Sequence, residues 1–536
     1  MIFKRRQKDQ KGHASRARRY WPVFAALALI IILLVALLPP LLLRRAKASD
    51  SAPLGLTIET TAGPVTGFVD DTTPNVAQFL GIPYAEQPVG ERRWLPAVTK
   101  AREESIDATN FGKNCPQIED NSPGITRNDV PEFIVPVDDI GEECLVLNVW
   151  APRGSKKGRT ERLPVIVWIY GGGFQNGGGN VQYLNPSRWV NRSQKLVVVG
   201  INYRSNIFGF PNARGLKSNE QNLGLLDQRL GLEWIRSNIE NFGGDPSRIS
   251  LWGHSAGAVA ADLYNFAYPD DPIIAGLILS SGSTFFNIAS NDREQTNFTF
   301  VASQLGCGEL GPQEELDCLR KVSSEEITSF RKDYNSAPGI SFNPIIDNST
   351  KFSNNTARAY DGKFAKVPAI AGSTTNEGAL FQPYNRTHGP NQASANRTTL
   401  SLFHCPVVGT TQLRHSVEAL TFNYLYGGNF SNISPQWWQG AYHSAELPLL
   451  FGTHGIARGT SPRFEVEVSE QMQDFWLAFA EDPVNGLPKL GWDASAPGGD
   501  GILIGWEGEV TQRISQSRLE EPCDGPRAKE DGRPPP

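Results

Sequence analysis

The sequence predicts an α/β fold, in which a central, mostly parallel sheet is covered by helices. Two apolar runs rich in β-branched residues, 165–170 and 197–203, are typical of strands that are buried on both faces. Apolar residues at helical spacing occupy 224–242, and a short apolar strand at 250–252 follows. Strands and helices that alternate in this way form a parallel sheet.

The composition is that of an ordinary globular protein, since 39% of the 536 residues are hydrophobic and 20% are charged. This composition excludes a disordered or fibrous chain. Residues 1–19 contain eight Lys or Arg and one Asp, a net charge of +7. Since the whole chain has a net charge of −5, the remaining residues have a net charge of −12. An acidic body argues against a nucleic-acid partner.

Residues 21–43 form an uncharged apolar run that is long enough to span a bilayer. More basic residues precede this run than follow it, which predicts a cytoplasmic N-terminus. We therefore expect a basic cytoplasmic tail at 1–20, a transmembrane signal anchor at 21–43 and a stalk at 44–53, as in a single-pass type II membrane protein. A secreted chain is the alternative, because Ala46 and Ala48 resemble a signal cleavage site.

Sequons for N-glycosylation lie only beyond the apolar run, as an extracytoplasmic body requires. Most of them fall between residues 348 and 432, which predicts a loop-rich surface that faces solvent. Single matches arise by chance, and we expect Asn354 or Asn432 to be the unused ones. The candidate glycosylation sites are Asn191, Asn297, Asn348, Asn354, Asn385, Asn396, Asn429 and Asn432.

The pentapeptide at 253–257, Gly-His-Ser-Ala-Gly, connects the short strand to a run of small residues that favour a helix. A serine on such a sharp turn presents its hydroxyl, and the next N–H faces a developing oxyanion. Ser255 is therefore a candidate nucleophile, and Ala256 is a candidate oxyanion donor. Because the pattern is short, a purely structural turn is the alternative.

Glycines 171–173 end the earlier strand, where N–H groups can approach a carbonyl oxygen. Gly172 and Gly173 are therefore candidate members of an oxyanion hole. A dinucleotide-binding loop is the competing interpretation, but it would need a glycine where Asn176 stands. A plain turn between strand and loop stays open as well.

Together these motifs resemble those of the type B carboxylesterases, the cholinesterase-like α/β-hydrolases, and among them the fungal carboxylesterases and lipases in particular. The resemblance covers about residues 57–523, and three further motifs contribute to it: FLGIPYA at 79–85, ECLVLNV at 143–149 and QNLGLLDQRL at 221–230. It implies one α/β-hydrolase domain at 54–523, and the polar residues 524–536 are expected to form a disordered tail. Neither a metal nor a cofactor is expected.

The resemblance also implies that Glu377 is the catalytic acid and that His443 is the base. A serine hydroxyl is a poor nucleophile until a neutral imidazole takes its proton, and a carboxylate orients that imidazole. A solvated surface glutamate and a packed core histidine are the alternatives for these residues. His254 lies next to the serine in the chain but is expected to point away from it, so it is not the expected base. Cholinesterases have a glutamate at this position, so the histidine argues against a choline site.

Three disulfides are implied by the same resemblance, although six cysteines alone would allow fifteen pairings. The loop closed by the first pair contains Phe133 and no Trp. A Trp in this loop would bind a quaternary ammonium by cation–π attraction, so acetylcholine is not the expected substrate. The pairs are Cys115 with Cys144, Cys307 with Cys318, and Cys405 with Cys523.

The chain between Glu377 and Cys405 is shorter than the family pattern, as if a block of helices were missing, and this questions the placement of His443. We expect an enzyme that hydrolyses small-molecule or lipid carboxylic esters through an acyl-enzyme. A non-catalytic cholinesterase-like adhesion protein is one alternative, against which the retained triad argues. An inactive product of a deletion is the other.

Overall fold

The computed structural model of the chain describes residues 56–118, 122–155, 161–286, 288–290, 292–334 and 339–524. Contacts divide the chain after Leu56, and the fold described below belongs to the unit that begins at Thr57. The predicted tail, anchor and stalk (1–20, 21–43 and 44–53) lie outside the described residues, as does the predicted C-terminal tail (524–536) apart from Asp524. No helix in the described ranges combines the length and the apolar character that crossing a membrane requires.

Ten strands form the central sheet, in the spatial order 13-12-11-10-9-8-6-7-5-3, while strands 1, 2 and 4 form a small separate sheet. In chain order the strands are β1 (Leu56–Thr60), β2 (Gly63–Gly67), β3 (Val76–Pro83), β4 (Ile106–Asp107), β5 (Val146–Pro152), β6 (Leu163–Ile169), β7 (Val197–Ile201), β8 (Gly244–His254), β9 (Gly276–Ser280), β10 (Ala369–Thr374), β11 (Thr421–Tyr426), β12 (Asp500–Trp506) and β13 (Glu509–Ser515). The seven strands from β7 to β12 in this order run parallel, and antiparallel strands occupy both edges.

Helices pack on the sheet, and every residue of β6, β7, β9, β10 and β11 is buried, as strands covered on both faces require. In chain order the α-helices are α1 (Ile125–Asn128), α2 (Ser187–Ser193), α3 (Asn206–Gly209), α4 (Leu223–Asn238), α5 (Ala256–Ala267), α6 (Thr296–Gln304), α7 (Pro312–Leu319), α8 (Ser324–Asp333), α9 (Asn355–Tyr360), α10 (Gln392–Thr398), α11 (Cys405–Ser416), α12 (Leu447–Phe451), α13 (Arg463–Glu481), α14 (Gly486–Lys489) and α15 (Gln516–Glu520).

The predicted parallel α/β architecture is confirmed, and β6, β7 and α4 occupy the segments from which it was predicted. β8 is longer than the three residues predicted. Its first half contains Asp245, Ser247 and Arg248, so no apolar pattern predicts a strand there. The register with β6 also shifts in this half.

The strand order places a candidate binding crevice at one edge of the sheet. β6 lies between β7 and β8, so the chain leaves β6 toward one side and later returns on the other side. The loops that follow β6 and β8 therefore emerge next to each other at the carboxyl ends of the strands. In open α/β sheets this switch in strand order is where ligands bind.

A buried ion pair joins the loop after β7 to α4. Nε and Nη2 of Arg204 donate hydrogen bonds to the Asp227 carboxylate at 2.8 and 2.7 Å, and the Arg204 backbone N–H donates at 3.1 Å. Both side chains are almost completely buried. Removing one partner would leave the other charge without water or a counterion, so the pair constrains the loop beside the crevice.

We predict that Asp227→Asn lowers the free energy of unfolding by about 3–5 kcal/mol, because it leaves the Arg204 guanidinium buried without its counterion. Denaturant unfolding measures this loss. The matched control is Glu59→Gln, which breaks the exposed ion pair with Arg102 and should cost less than about 1 kcal/mol. Equal losses in the two variants would contradict the prediction.

Candidate active site

Ser255 lies on the turn between β8 and α5 with φ 56° and ψ −125°, a conformation that residues other than glycine rarely adopt. Its N–H donates to the carbonyl of Ser280 at 2.9 Å. A Cβ at Gly253 would lie 2.1 Å from the Gly257 carbonyl oxygen, and one at Gly257 would lie 2.2 Å from that of Ile169. Close approach of the backbone therefore requires both glycines of the motif.

The turn after β6 supplies unpaired N–H groups beside this serine. Gly172 and Gly173 have φ values of 104° and 62°, and a Cβ at Gly171 would lie only 2.8 Å from Cβ of Ser255. Within the described ranges, the N–H groups of Gly172 and Gly173 have no hydrogen-bond acceptor. Ala256 is the first residue of α5, where a helix leaves its N–H without an internal acceptor. Such donors can bind an anionic oxygen.

Glu377 follows β10 and is completely buried, so the alternative of a solvated surface glutamate is wrong. Its Oε2 lies 2.5 Å from Nδ1 of His443. Its Oε1 accepts hydrogen bonds from Ser281 Oγ at 2.5 Å and from the Thr374 N–H at 2.7 Å. The carboxylate is thus fixed in one orientation and faces the imidazole.

A backbone bridge places the histidine next to this glutamate. Asn376 and Tyr442, which precede Glu377 and His443, form an isolated parallel β-bridge, and the Asn376 N–H donates to the Ala441 carbonyl at 3.0 Å. The short segment after Glu377 folds into a 3₁₀ turn, α10 and a π-helical turn that leads into α11. The short segment, which questioned the placement of His443, leaves the Glu377 and His443 side chains in contact.

Aromatic rings surround the His443 imidazole. The ring centroids of His254 and Phe403 each lie 4.5 Å from that of His443, and the ring of Phe381 lies 5.2 Å away. Since His254 is the neighbour of Ser255 in the chain, this contact holds the imidazole close to the serine turn. Ser255 Oγ forms no hydrogen bond with any described residue, as is common before substrate binds.

His254 lies beside a buried glutamate that the sequence analysis missed. Its Nε2 lies 3.8 Å from Oε1 of Glu446, and both side chains are buried. Burial lowers the pKa of His254 well below its ordinary value, and burial, with the Glu377 charge in addition, raises the pKa of Glu446. Both groups are therefore driven toward their neutral forms. Nothing in its sequence context distinguishes Glu446 from a surface glutamate.

Asp129 connects the first disulfide loop to the segments that carry Glu377 and His443. Its carboxylate accepts hydrogen bonds from Tyr384 Oη at 3.0 Å, Gln436 Nε2 at 2.9 Å and Gln439 Nε2 at 2.7 Å. The sequence analysis missed this contact as well. Its three partners are more than 250 residues away along the chain, and no local pattern relates them to Asp129.

The cysteines form three disulfides in the pairing that the resemblance implied. These disulfides join Cys115 to Cys144, Cys307 to Cys318 and Cys405 to Cys523.

The sequon asparagines differ in exposure. Asn432 is buried, and its Nδ2 donates to the His454 carbonyl and to Ser461 Oγ, so that a glycan on Asn432 would have to displace both contacts. Of the others, Asn348, Asn354, Asn385 and Asn429 are exposed, and Asn191, Asn297 and Asn396 are half-buried.

His454, the other histidine near His443 in the chain, belongs to a separate cluster. Its Nδ1 lies 2.6 Å from Ser461 Oγ and 3.7 Å from Oε1 of Glu465. Burial lowers the pKa of His454 to about 4 and raises the pKa of Glu465 to about 7. This histidine therefore has its own partners and does not bond to Glu377.

We predict that Glu465→Gln makes the protein more stable above pH 7 and leaves its stability unchanged near pH 4.5. The folded-state pKa of Glu465 is raised to about 7, so stability present below the unfolded pKa is lost as the pH rises through the folded pKa. The gain should approach about 3 kcal/mol. Chemical unfolding of both proteins between pH 4.5 and 8 measures it, and a pH-independent difference would contradict the assignment.

Comparison with known proteins identifies the family of the chain. The sequence model described as "Carboxylesterase family" matches residues 55–401 and 391–493. The chain is 42% identical to the chlorogenic acid esterase of Aspergillus niger, over 88% of this chain and 94% of that one, and 40% identical to secreted lipase 5 of Gibberella zeae, over 89% and 95%. The acetylcholinesterase of Bungarus fasciatus is 28% identical, over 81% and 80%. The chain thus belongs to the carboxylesterase family.

Proposed function

We propose that this carboxylic ester hydrolase acts through a serine acyl-enzyme. Ser255 is the nucleophile, His443 is the general base, and Glu377 is the carboxylate that orients the His443 imidazole. The single observation that carries the proposal is the buried contact between Glu377 and His443 beside the strained serine turn. Glu377 holds the proton on Nδ1 of the imidazole, which leaves Nε2 as the basic nitrogen. His443 is then the group that accepts the Ser255 proton.

Attack of Ser255 Oγ on the ester carbonyl converts its oxygen into an oxyanion. The N–H groups of Gly172, Gly173 and Ala256 stabilise this charge, since none of them has another acceptor in the turns that hold them. The imidazolium then gives its proton to the leaving alcohol. A water molecule, deprotonated by His443 in the same way, cleaves the acyl-enzyme and releases the acid.

The substrates we propose are small-molecule or lipid esters. The relatives include a chlorogenic acid esterase and a secreted lipase, which suggests esters whose acid part is aromatic or aliphatic. The rings of Phe381 and Phe403 beside His443 favour an apolar group at this place. No observation favours the adhesion protein or the inactive deletion product, because the proposed acid Glu377 and the proposed base His443 are in contact.

We predict that Ser255→Ala and His443→Gln each reduce kcat/KM for nitrophenyl esters by on the order of 10⁴-fold or more, because each removes one of the three proposed catalytic side chains. Steady-state kinetics on purified protein measure the loss. Ser255→Ala should also abolish covalent labelling by an organophosphonate.

His454→Gln is the matched control, because it replaces a partly buried histidine that does not contact Glu377. It should keep most of the activity. Labelling of Ser255→Ala, or a loss in His454→Gln as large as that in His443→Gln, would contradict the assignment.

We also propose that the catalytic body is extracytoplasmic and that residues 21–43 anchor it as a type II membrane protein, between a tail at 1–20 and a stalk at 44–53. The charge difference across the apolar run supports this orientation. Three disulfides support an oxidising compartment. The hydrolase domain then covers 54–523.

We predict that the full chain, expressed in a eukaryotic host, stays with membranes after an alkaline carbonate wash and loses mass on glycosidase treatment. Sedimentation followed by immunoblotting measures both. Release into the medium of a chain that starts near Ser49 would show a cleaved signal instead. A membrane-bound chain without glycans would contradict the orientation.

A further inference from the structure

Trp437 exposes 76% of its surface, more than any other large hydrophobic side chain in the described part of the chain. An indole gains free energy when it leaves water, so a highly exposed indole is a candidate contact site. This one is tethered, because its Nε1 donates to the carbonyl of Thr387 at 3.4 Å. This contact places the indole beside the loop that carries Thr387.

Thr387 is the third residue of the sequon Asn385-Arg386-Thr387, and the next tryptophan contacts the same sequon. Nε1 of the buried Trp438 donates to the Arg386 carbonyl at 3.2 Å. A Cβ at Gly389 would lie 2.6 Å from Cγ of Trp438, so the loop lies directly against this indole. Two successive tryptophans thus donate hydrogen bonds to the backbone of one sequon.

Asn385 leaves its amide nitrogen accessible. Its side chain is exposed, and its Oδ1 accepts from the N–H groups of Thr387 at 3.1 Å and His388 at 3.0 Å. Its Nδ2, the atom to which a glycan is attached, makes no hydrogen bond with a described residue. By contrast, Nδ2 of Asn297 and of Asn432 donates to other residues.

We propose that Asn385 carries an N-linked glycan whose core N-acetylglucosamine rings pack on the indole of Trp437. One face of a pyranose ring presents C–H groups that stack on an aromatic face, while its hydroxyls stay in water. The proposal depends on the extracytoplasmic location proposed above. The exposed Trp437 indole then binds a glycan that is attached to the same chain.

The packed glycan would stabilise the segment on which the active site depends. Tyr384 precedes the sequon, and Gln436 precedes Trp437; both donate to Asp129 of the first disulfide loop. A sugar that bridges Asn385 and Trp437 adds a contact between the same two stretches of chain. These stretches lie between Glu377 and His443.

The direct test is native-state cleavage by an endoglycosidase that cuts between the two core N-acetylglucosamines. The full chain is produced in a eukaryotic host, and mass spectrometry follows each sequon separately. The Asn385 glycan should be cut about threefold or more slowly than the Asn429 glycan, because packing on Trp437 shields its core. In Trp437→Ala the two rates should become equal.

A second measurement is a double-mutant cycle in thermal stability. Trp437→Ala should lower Tm by on the order of 1–2 °C more in the glycosylated chain than in the Asn385→Gln background. Asn429→Gln is the matched control, and in that background Trp437→Ala should lower Tm as it does in the wild type. The cycle cancels the loss of the Trp437 hydrogen bond to Thr387, which occurs in both backgrounds.

An unmodified Asn385 in a chain that is glycosylated elsewhere would overturn this proposal and leave the proposed location intact. Equal cleavage rates in the wild type, or additive effects in the cycle, would overturn it as well. A chain without any glycan would refute both proposals. Dimerisation that is lost in Trp437→Ala would assign the indole to a second copy and overturn the glycan contact.

Discussion

The bridge between Asn376 and Tyr442 brings the proposed acid and base together. Asn376 directly precedes Glu377, and Tyr442 directly precedes His443. Glu377 follows a sheet strand, but His443 lies in a long loop that has no strand of its own. The bridge joins that loop to the residues after β10, and Nδ2 of Asn376 adds hydrogen bonds to the carbonyls of Trp438 and Gln439. The carboxylate and Nδ1 of the imidazole lie 2.5 Å apart in a buried setting where their attraction is strong.

The remaining groups depend on the sheet. The glycine turn, Ser255, Ser281 and Glu377 directly follow β6, β8, β9 and β10, or lie within a few residues of them, and these four strands are neighbours with their carboxyl ends at one edge. Close packing adjusts the turns: the backbone around Gly257 touches the end of β6, and the strained Ser255 fits because small residues flank it. The rigid sheet thus positions the donors and the nucleophile, while the loop bridge positions the base.

Local rules explain which features the sequence predicted. Unbroken apolar runs predicted β6 and β7, and strand, glycine turn and helix predicted the serine turn, because these patterns reflect burial and backbone sterics within a few residues. Glu377 and His443 were implied by family resemblance alone. Asp129 and Glu446 were missed, because their roles depend on partners that only the folded chain brings near. The burial of Asn432 depends on α13 and its preceding loop, which a sequon pattern does not register.

The central claim is that Ser255, His443, Glu377 and the three N–H groups form one catalytic site. A crystal structure of the protein after reaction with an organophosphonate, a stable mimic of the tetrahedral intermediate, tests this claim most directly. The account predicts a covalent bond from phosphorus to Ser255 Oγ, with the phosphoryl oxygen within hydrogen-bond distance of the N–H groups of Gly172, Gly173 and Ala256. Phosphorus on another residue, or a phosphoryl oxygen that faces away from these N–H groups, would contradict it.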